Sequence, residues 1–531
     1  MGLFEIEYNK VKAFSKLFND YNQKSSHFAD LISNFPSLEN IYKQISFKSI
    51  NYNHGFRDSL VKELYKQNDG IKLNEIQKQN INKLSEKNTY TITTGHQLNL
   101  LTGPVYFIYK IISIINLCEQ MHKKYSEYNF VPIFWMASED HDFEEINNFS
   151  FQGNKFKWSS SQTGVVGEFK LDSIDDVFNE FEKCICDYPH GDEIIKMFRG
   201  CYYNSKDFSV ATRKLVNLLF SKYGLIIIDP NKKNLKSLFK DILKKELLEK
   251  TLYKESKKST KRLNELNYNL QANPRKINLF YIDDCRRERI IEKENVFETS
   301  SGSKKWNLKE IQNEVDSNPE KFSPNVLFRP VFQEFILPNV CYVGGPAEIA
   351  YWLELKSVFE SLKLSFPIIL NRNSALLLEK KQLEKLDNLD VSIEEIFLPS
   401  DQLKEHLVRK YSKLELDFSD LKKQLNIQFS KLKDKASLTD KSFIGALNAQ
   451  EKKQINGLKM LEKRLLKSEK RIHQDKINRV ISIRDELFPG GKLQERISNF
   501  SEFYINSGEK LIGLIKNNLD PMNQKFSVIE I

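Results

Sequence analysis

The sequence predicts an α/β protein built on a doubly wound parallel sheet with inserted connecting segments, followed by a C-terminal antiparallel α-helical coiled coil. Two strand–glycine loop–helix units and one long proline-free heptad region carry this reading. The first unit is TTGHQLNLLTGP (residues 93–104), which overlaps the β-branched run YTITT (90–94) and leads into VYFIYKIISIINLC. The YTITT run reads as a short buried strand, and Gly103-Pro104 as a helix start with proline at the first helical position. The second unit, NVCYVGGPA (339–347), places Gly344-Gly345 and Pro346 ahead of AEIAYWLELKSVFESL. Each unit offers free N–H groups at the positive end of a helix dipole, where α/β proteins hold phosphates and carboxylates. Thr94, Gly95, Gly103, Gly344 and Gly345 are therefore the expected cofactor-binding positions, and an anion- or nucleotide-binding enzyme is the leading reading.

Taken in order, residues 1–85 read as amphipathic helices. From 90 to 380, strand-like runs alternate with helical periods: 90–94, 131–136 (VPIFWM), 225–229 (LIIID), 278–282 (NLFYI), 339–343 and 366–370 (FPIIL). These runs are apolar on both faces, as buried parallel strands are, and ligands of such sheets sit at the carboxyl ends of the strands. Residues 151–220 and 231–325 are too long for simple crossovers and are expected to be insertions in a core spanning 1–390. No proline occurs between Pro399 and Pro489. Leu414, Phe418, Leu421, Leu425, Gln428 and Leu432 step as a heptad seam. A second seam passes through Leu458, Leu461, Leu465, Ser468 and Ile472, reaching Val480 and Leu487 after a one-residue register step. Residues 437–449 are expected to reverse the chain, 391–500 to form the helical domain, and 501–531 to return to the core. Phe429, Phe443 and Ile444 fall outside the register and are expected to meet a second copy, giving a homodimer of closed twofold symmetry.

At 531 residues the chain is too long for a single core. Its net charge of +10 is concentrated in residues 402–480, which hold 20 Lys and Arg against 10 Asp and Glu. Lysine dominates there, which reads as a solvated helix surface and not as base recognition by arginine forks. The apolar run 105–118 is broken by Lys110 and too short to span a bilayer. The start, MGLFEIEYNK, lacks a signal-peptide layout. Six scattered cysteines fit a reducing compartment. The expectation is a cytoplasmic protein with no nucleic-acid or membrane partner. Cys184-Ile185-Cys186 has no second pair, so no dedicated metal site is expected.

The candidate site residues lie at strand ends. SEDHD (138–142) follows VPIFWM directly. In an extended segment Glu139 and His141 share one side, and Asp140 and Asp142 the other. Glu139, Asp140 and His141 are the catalytic candidates, as general base, amine anchor or Mg²⁺ ligand. Asp142 either touches substrate or caps the next helix in a capping box with Glu145. His96 either stabilises a phosphoryl transition state or is a polar turn residue. Lys110 either reaches a phosphate or snorkels to water. Arg329 precedes Pro330 and should be extended; it is a carboxylate clamp or a surface ion-pair member. Glu348 contacts substrate or complements a helix dipole. Asn371 and Arg372, after FPIIL, complete the substrate-binding candidates.

Four blocks, TGHQLNLLTGPVYFIYKIISI, VPIFWMASEDHDFEEIN, FRPVFQEFILPNVCYVGGPAEIAYW and PIILNRNSALL, resemble in order and spacing the bacillithiol-biosynthesis cysteine-adding enzymes, a family of cysteine ligases. With the helical hairpin, the likeness covers essentially the whole chain. It implies a Rossmann-like core related to class I aminoacyl-tRNA synthetases and nucleotidylyltransferases, and the joining of cysteine to glucosaminyl-malate. Amide formation from a carboxylate is uphill in water, so ATP is the expected cofactor, with Mg²⁺ beside it, activating cysteine as an acyl-adenylate or acyl-phosphate. Glu139 or Asp140 would then hold or deprotonate the attacking amine. The rival readings are a nucleotide-binding glycosyl or nucleotidyl transferase and a non-catalytic coiled-coil scaffold.

Overall fold

A computed structural model describes residues 2–283, 286–438 and 441–531. The chain forms two compact units, residues 1–378 with 492–531, and residues 379–491. The first is organised by five parallel strands: β1 (Thr89–His96), β2 (Asn129–Met136), β3 (Ile226–Ile228), β4 (Asn339–Gly344) and β5 (Ile368–Asn371). Their order is β5-β4-β1-β2-β3 and every neighbouring pair is parallel. The strand order therefore reverses between β1 and β4, and the crevice at that switch point is where such sheets bind ligands. β1 and β2 are buried along nearly their whole length, because helices cover both faces and leave no solvated side to demand alternation. Helix α1 (Tyr106–Lys124) packs against β1 and β2 on one side and against the helix Lys510–Asn518 on another. That double cover explains why residues 107–118 are buried without a break.

Several expectations need correction. The segment expected as a parallel strand at 278–282 is strand Leu279–Asp283 of a separate antiparallel sheet, with Arg286–Lys293, Val296–Thr299, Lys305–Trp306 and Phe322–Pro324. A short apolar run looks the same in either kind of sheet. The N-terminal residues do not begin as a helix: Leu3–Ile6 is a strand pairing antiparallel with Phe526–Glu530, which also pairs parallel with Ala375–Leu378. Pro104 is not the first residue of α1. It forms an isolated bridge with Asn499, and the helix starts two residues later.

The second unit is helical. The hairpin arms are α2 (Ser419–Ala436) and α3 (Lys441–Ile472), and Gln474–Leu487 continues after a break at His473. Residues 441–449 are helical, so the reversal is shorter than expected; Thr439 and Asp440 lie outside the described residues. The hairpin core is Phe429, Ala436 and Leu447, with Leu425 and Ile444 packed against it. Phe429 and Ile444, expected to face a partner, are thus internal, while Phe443 is exposed. Leu414, Leu421, Leu432, Leu461 and Ile472 from the expected seams are exposed as well. The heptad step was right and its phase was wrong: α2 buries a face through Leu425, Phe429 and Ala436, steps of four and seven. Among the described residues no helix is long and apolar enough to cross a membrane. The described cysteines, Cys118, Cys184, Cys186, Cys201 and Cys341, are free; Cys285 lies outside the described residues.

The phase is testable. Phe429→Ala should destabilise the hairpin by about 3 kcal/mol, read as lost amide protection in α2 and α3, whereas Leu432→Ala should change it by less than about 0.5 kcal/mol.

Candidate active site

All five parallel strands deliver residues to one edge of the sheet. β1 ends in Gly95-His96, β2 runs into SEDHD, β3 into Asp229-Pro230, β4 into Gly345 and β5 into Arg372. A cavity of about 720 Å³ opens there, with residues from 271–280, Arg287, Arg289 and 324–327 forming the wall that faces the strand ends. Of the expected site residues, Gly95, His96, Lys110, Glu139, Asp140, Arg329, Gly345, Glu348 and Arg372 border it.

Glu348 organises the switch point. Its carboxylate accepts from the Gly345 N–H at 2.8 Å, from Lys110 Nζ at 2.7 Å and from the Tyr342 hydroxyl at 2.5 Å. Burial opposes ionisation, but the Lys110 charge and the Gly345 N–H outweigh it and bring its pKa down to about 2. The N–H that the second glycine loop was expected to offer a ligand is therefore already occupied by the protein's own carboxylate. Lys110 does not snorkel: it is 2% exposed and donates also to the Gly95 carbonyl at 2.5 Å. Arg329 is not extended but opens helix Arg329–Ile336, where Pro330 in the first turn removes no helical bond. Its guanidinium donates to Gln333 Oε1 at 2.9 Å and to the Tyr351 hydroxyl at 3.2 Å. Arg372 is committed to a buried bidentate pair with Glu495, at 2.7 and 3.1 Å.

The acidic loop folds differently from an extended strand. Glu139 and Asp140 both border the cavity, and His141 lies outside it. The turn residues 165–168 brace this loop, with Val166 N–H on the Asp140 carbonyl and Gly167 N–H on the Ser138 carbonyl. A Cβ at Gly167 would come within 2.7 Å of that carbonyl, so only glycine fits. Glu139 is paired at 3.0 Å with Lys236, whose side chain is 1% exposed and which also bonds Asn231 Oδ1 and the Glu320 carbonyl. Asp140 accepts from Gln97 Nε2 at 2.6 Å and from the His141 N–H at 2.7 Å. Burial raises its pKa, but hydrogen bonds from His141 and Gln97 and the charge of Arg287 hold it well below the usual carboxylate range. His141 Nδ1 accepts from Arg287 Nη1 at 2.9 Å. Asp142 is exposed and makes no capping bond to the short helix that follows it, Phe143–Ile146.

His96 is held neutral: burial and the nearby Lys110 charge bring its pKa down to about 3. Nδ1–H donates to the Gln97 carbonyl at 3.0 Å, leaving Nε2 to accept from the Tyr106 hydroxyl at 2.9 Å. Thr94, Gly103, Gly344 and Asn371 do not border the cavity. Thr94 Oγ1 donates to the Val343 carbonyl and Asn371 Nδ2 to the Tyr8 hydroxyl. Gly103 has φ +61°, and a Cβ there would meet Asn99 at 2.7 Å. The residues before it, Leu101 and Thr102, also have positive φ. Asn499 Nδ2 holds this loop through the carbonyls of Leu101 at 2.7 Å and Gly103 at 2.6 Å.

Sequence reasoning missed Gln97, Lys236, Arg287, Glu495 and Arg496. Gln97 adjoins His96 and its loop position could have suggested it. Lys236 and Arg287 sit in an expected insertion, and Glu495 and Arg496 in residues expected to end the helical domain but grouped with the first unit, which includes 492–531; none carries a motif. The far wall is fixed by two buried carboxyl groups. Glu354 Oε1 accepts the N–H groups of Gln271 at 2.9 Å and Ala272 at 3.2 Å, and Glu246 Oε1 accepts the Asn278 N–H at 3.1 Å. Burial raises the pKa of each to about 7.

The strand order, with a cavity at the strand ends, defines a Rossmann-like α/β protein with a second, helical unit. Two family profiles match, "Bacillithiol biosynthesis BshC, N-terminal Rossmann-like domain" over residues 1–373 and "Bacillithiol biosynthesis BshC, C-terminal coiled-coil domain" over 375–531. Relatives named "Putative cysteine ligase BshC" occur in Flavobacterium johnsoniae (45% identity, 99% of each chain), Flavobacterium psychrophilum (46%, 99% of each) and Cytophaga hutchinsonii (37%, 98% of each). The chain belongs to the BshC family of bacillithiol biosynthesis.

Two outcomes follow from this geometry. Glu139→Gln strands the buried Lys236 ammonium and should cost about 3 kcal/mol in a urea titration, while Asp140→Asn should cost about 1 kcal/mol. The Glu354 carboxyl stabilises the fold while protonated; that contribution is complete below about 4.5 and is lost as pH rises through about 7. Thermal melts of Glu354→Gln should therefore fall less between pH 5 and pH 8 than those of the wild type.

Proposed function

We propose that this protein is a cysteine ligase that joins the carboxylate of L-cysteine to the amine of glucosaminyl-malate in the cytoplasm, with ATP as cosubstrate. The observation that carries the reading is the pair of acids Glu139 and Asp140, the latter held by Gln97, at the carboxyl ends of β1 and β2 in a cavity that several arginines also line, in a chain of the BshC family. Asp140 stays ionised at neutral pH and so suits holding and orienting a substrate amine more than keeping a proton. Gln97 also donates to Glu145 Oε2 at 3.0 Å, which fixes the amide that presents Asp140. His96, neutral and bonded to Tyr106, offers polarity without charge beside it.

ATP supplies the leaving group that makes a carboxylate reactive toward an amine. The residues fit its phosphates: Arg329 is bonded to tyrosine and glutamine and not to an acid, and Arg496 has no acidic partner within ion-pair distance among the described residues. Both border the cavity, Arg329 beside Gly95 and Arg496 beside the Tyr106 ring, and would hold the polyphosphate. Among the described residues no three His, Cys, Asp or Glu side chains gather as metal ligands, so Mg²⁺ would enter with the nucleotide. Tyr106 and the Gly95 loop would screen the reacting carboxylate from water.

Incubating the purified protein with cysteine, glucosaminyl-malate, ATP and Mg²⁺ should yield a product heavier by one cysteinyl residue, dependent on all three organic substrates. No product, or product formed equally without ATP, contradicts the reading. The homodimer is part of the same proposal. Phe443 and Leu461 of the hairpin are half-exposed apolar groups, and the double change Phe443→Glu with Leu461→Glu should shift the full-length protein toward monomer in light scattering.

A further inference from the structure

The wall facing the strand ends has a charge pattern that the reaction above does not use. Among the described residues, its cavity lining includes Arg275, Arg287 and Arg289 and no aspartate or glutamate. Arg287 is fully engaged: Nε donates to Ser323 Oγ at 3.0 Å, Nη2 to the Pro324 carbonyl at 2.9 Å and Nη1 to His141, with the guanidinium 4.0 Å over the Phe280 ring. Arg289 lies two residues along the same strand, so it shares the cavity face. It is opposite Phe280 in the ladder and 6.0 Å from its ring. Neither Arg289 nor Arg275 has an acidic partner within ion-pair distance among the described residues. Like charges lining one cavity repel and focus a field that draws in anions.

The wall is also preorganised. Glu354 holds the main chain at Gln271 and Ala272, and Glu246 holds it at Asn278. Asn278 Oδ1 in turn accepts the Arg275 N–H at 3.0 Å. The backbone that carries Arg275 is therefore fixed before any ligand arrives, which lowers the entropy cost of binding.

We propose that Arg275 and Arg289 form a carboxylate-binding subsite for a dicarboxylic acid group. On the ligase reading, from which this assignment of the ligand follows, that group is the malyl half of the acceptor. Two planar guanidinium forks suit two carboxylates, each bound through paired N–H donors. The opposite side of the cavity already carries Arg329 and Arg496 for a polyphosphate. The subsite places the acceptor's acidic half on the far wall and leaves its amine to face Asp140.

Calorimetric titration of the full-length protein with L-malate alone, and separately with inorganic tripolyphosphate, tests this. Arg275→Gln and Arg289→Gln should each weaken malate binding about tenfold and leave tripolyphosphate binding unchanged. Arg286→Gln, an exposed neighbour that does not border the cavity, should bind malate as the wild type does. In turnover assays the two cavity variants should raise KM for the acceptor far more than KM for cysteine. The proposal is overturned if the wild type does not bind malate, if neither cavity variant weakens it, if Arg286→Gln weakens it equally, or if tripolyphosphate binding falls in parallel. Malate binding that depends on Arg275 and Arg289 in a protein without ligase activity would retain the subsite and refute the ligase reading. Ligase activity with an unchanged acceptor KM would do the reverse.

Discussion

The cavity depends on one buried ion pair. Arg372 leaves the carboxyl end of β5 and meets Glu495, with side-chain exposures of 1% and 0%. Two charges so far from water are tolerable only if geometry and hydrogen bonding are nearly complete, and here they are. Arg372 donates in addition to the Asn373 carbonyl and Ser374 Oγ, and Glu495 accepts the Ala375 N–H. Gln494, beside it, bonds the N–H and carbonyl of Leu377 as a neighbouring strand would. Four residues beyond Glu495, Asn499 secures the Leu101–Gly103 loop, and the Ser498 carbonyl accepts the Val105 N–H at the start of α1. The C-terminal return thus fixes the loops after β1 and β5 together. Arg372 is part of the cavity's frame before it can be anything to a ligand.

Charge is sorted within the cavity by what each group has already spent. Lys110 is paired with Glu348, Lys236 with Glu139 and Arg372 with Glu495, while Arg287 bonds Ser323, Pro324 and His141; a buried pair is retained for its position more than for its net energy. What remains for ligands is one depressed carboxyl group, Asp140, and arginines without acids. The glycine loops contribute shape: Gly95 would bring a Cβ to 3.4 Å of the Arg329 guanidinium and 3.5 Å of the Tyr342 hydroxyl. Helix-terminal N–H groups, which the sequence pattern promised to a ligand, are largely consumed inside the fold.

How much was legible follows from the range of each interaction. The parallel strands could be read because burial on both faces leaves a local apolar run, and SEDHD because it abuts one of them. The heptad spacing of α2 was legible, but its phase was not, since Leu421 and Phe429 are equally apolar and only the partner arm decides which is covered. Arg329 was misassigned because a residue before proline disfavours helix only within it, not at its first position. Arg372's partner lies 123 residues away, and Lys236 and Glu139 are 97 apart; no spacing rule reaches such pairs. The pairing of Leu3–Ile6 with the far terminus escaped for the same reason.

The dependence of the cavity on the C-terminal return can be measured directly by amide hydrogen exchange of Glu495→Gln against the wild type. The account predicts faster exchange at both the Leu100–Thr102 turn and Ala375–Leu378, with β2 remaining protected. Unchanged exchange at those two segments, or a uniform loss that includes β2, would contradict it.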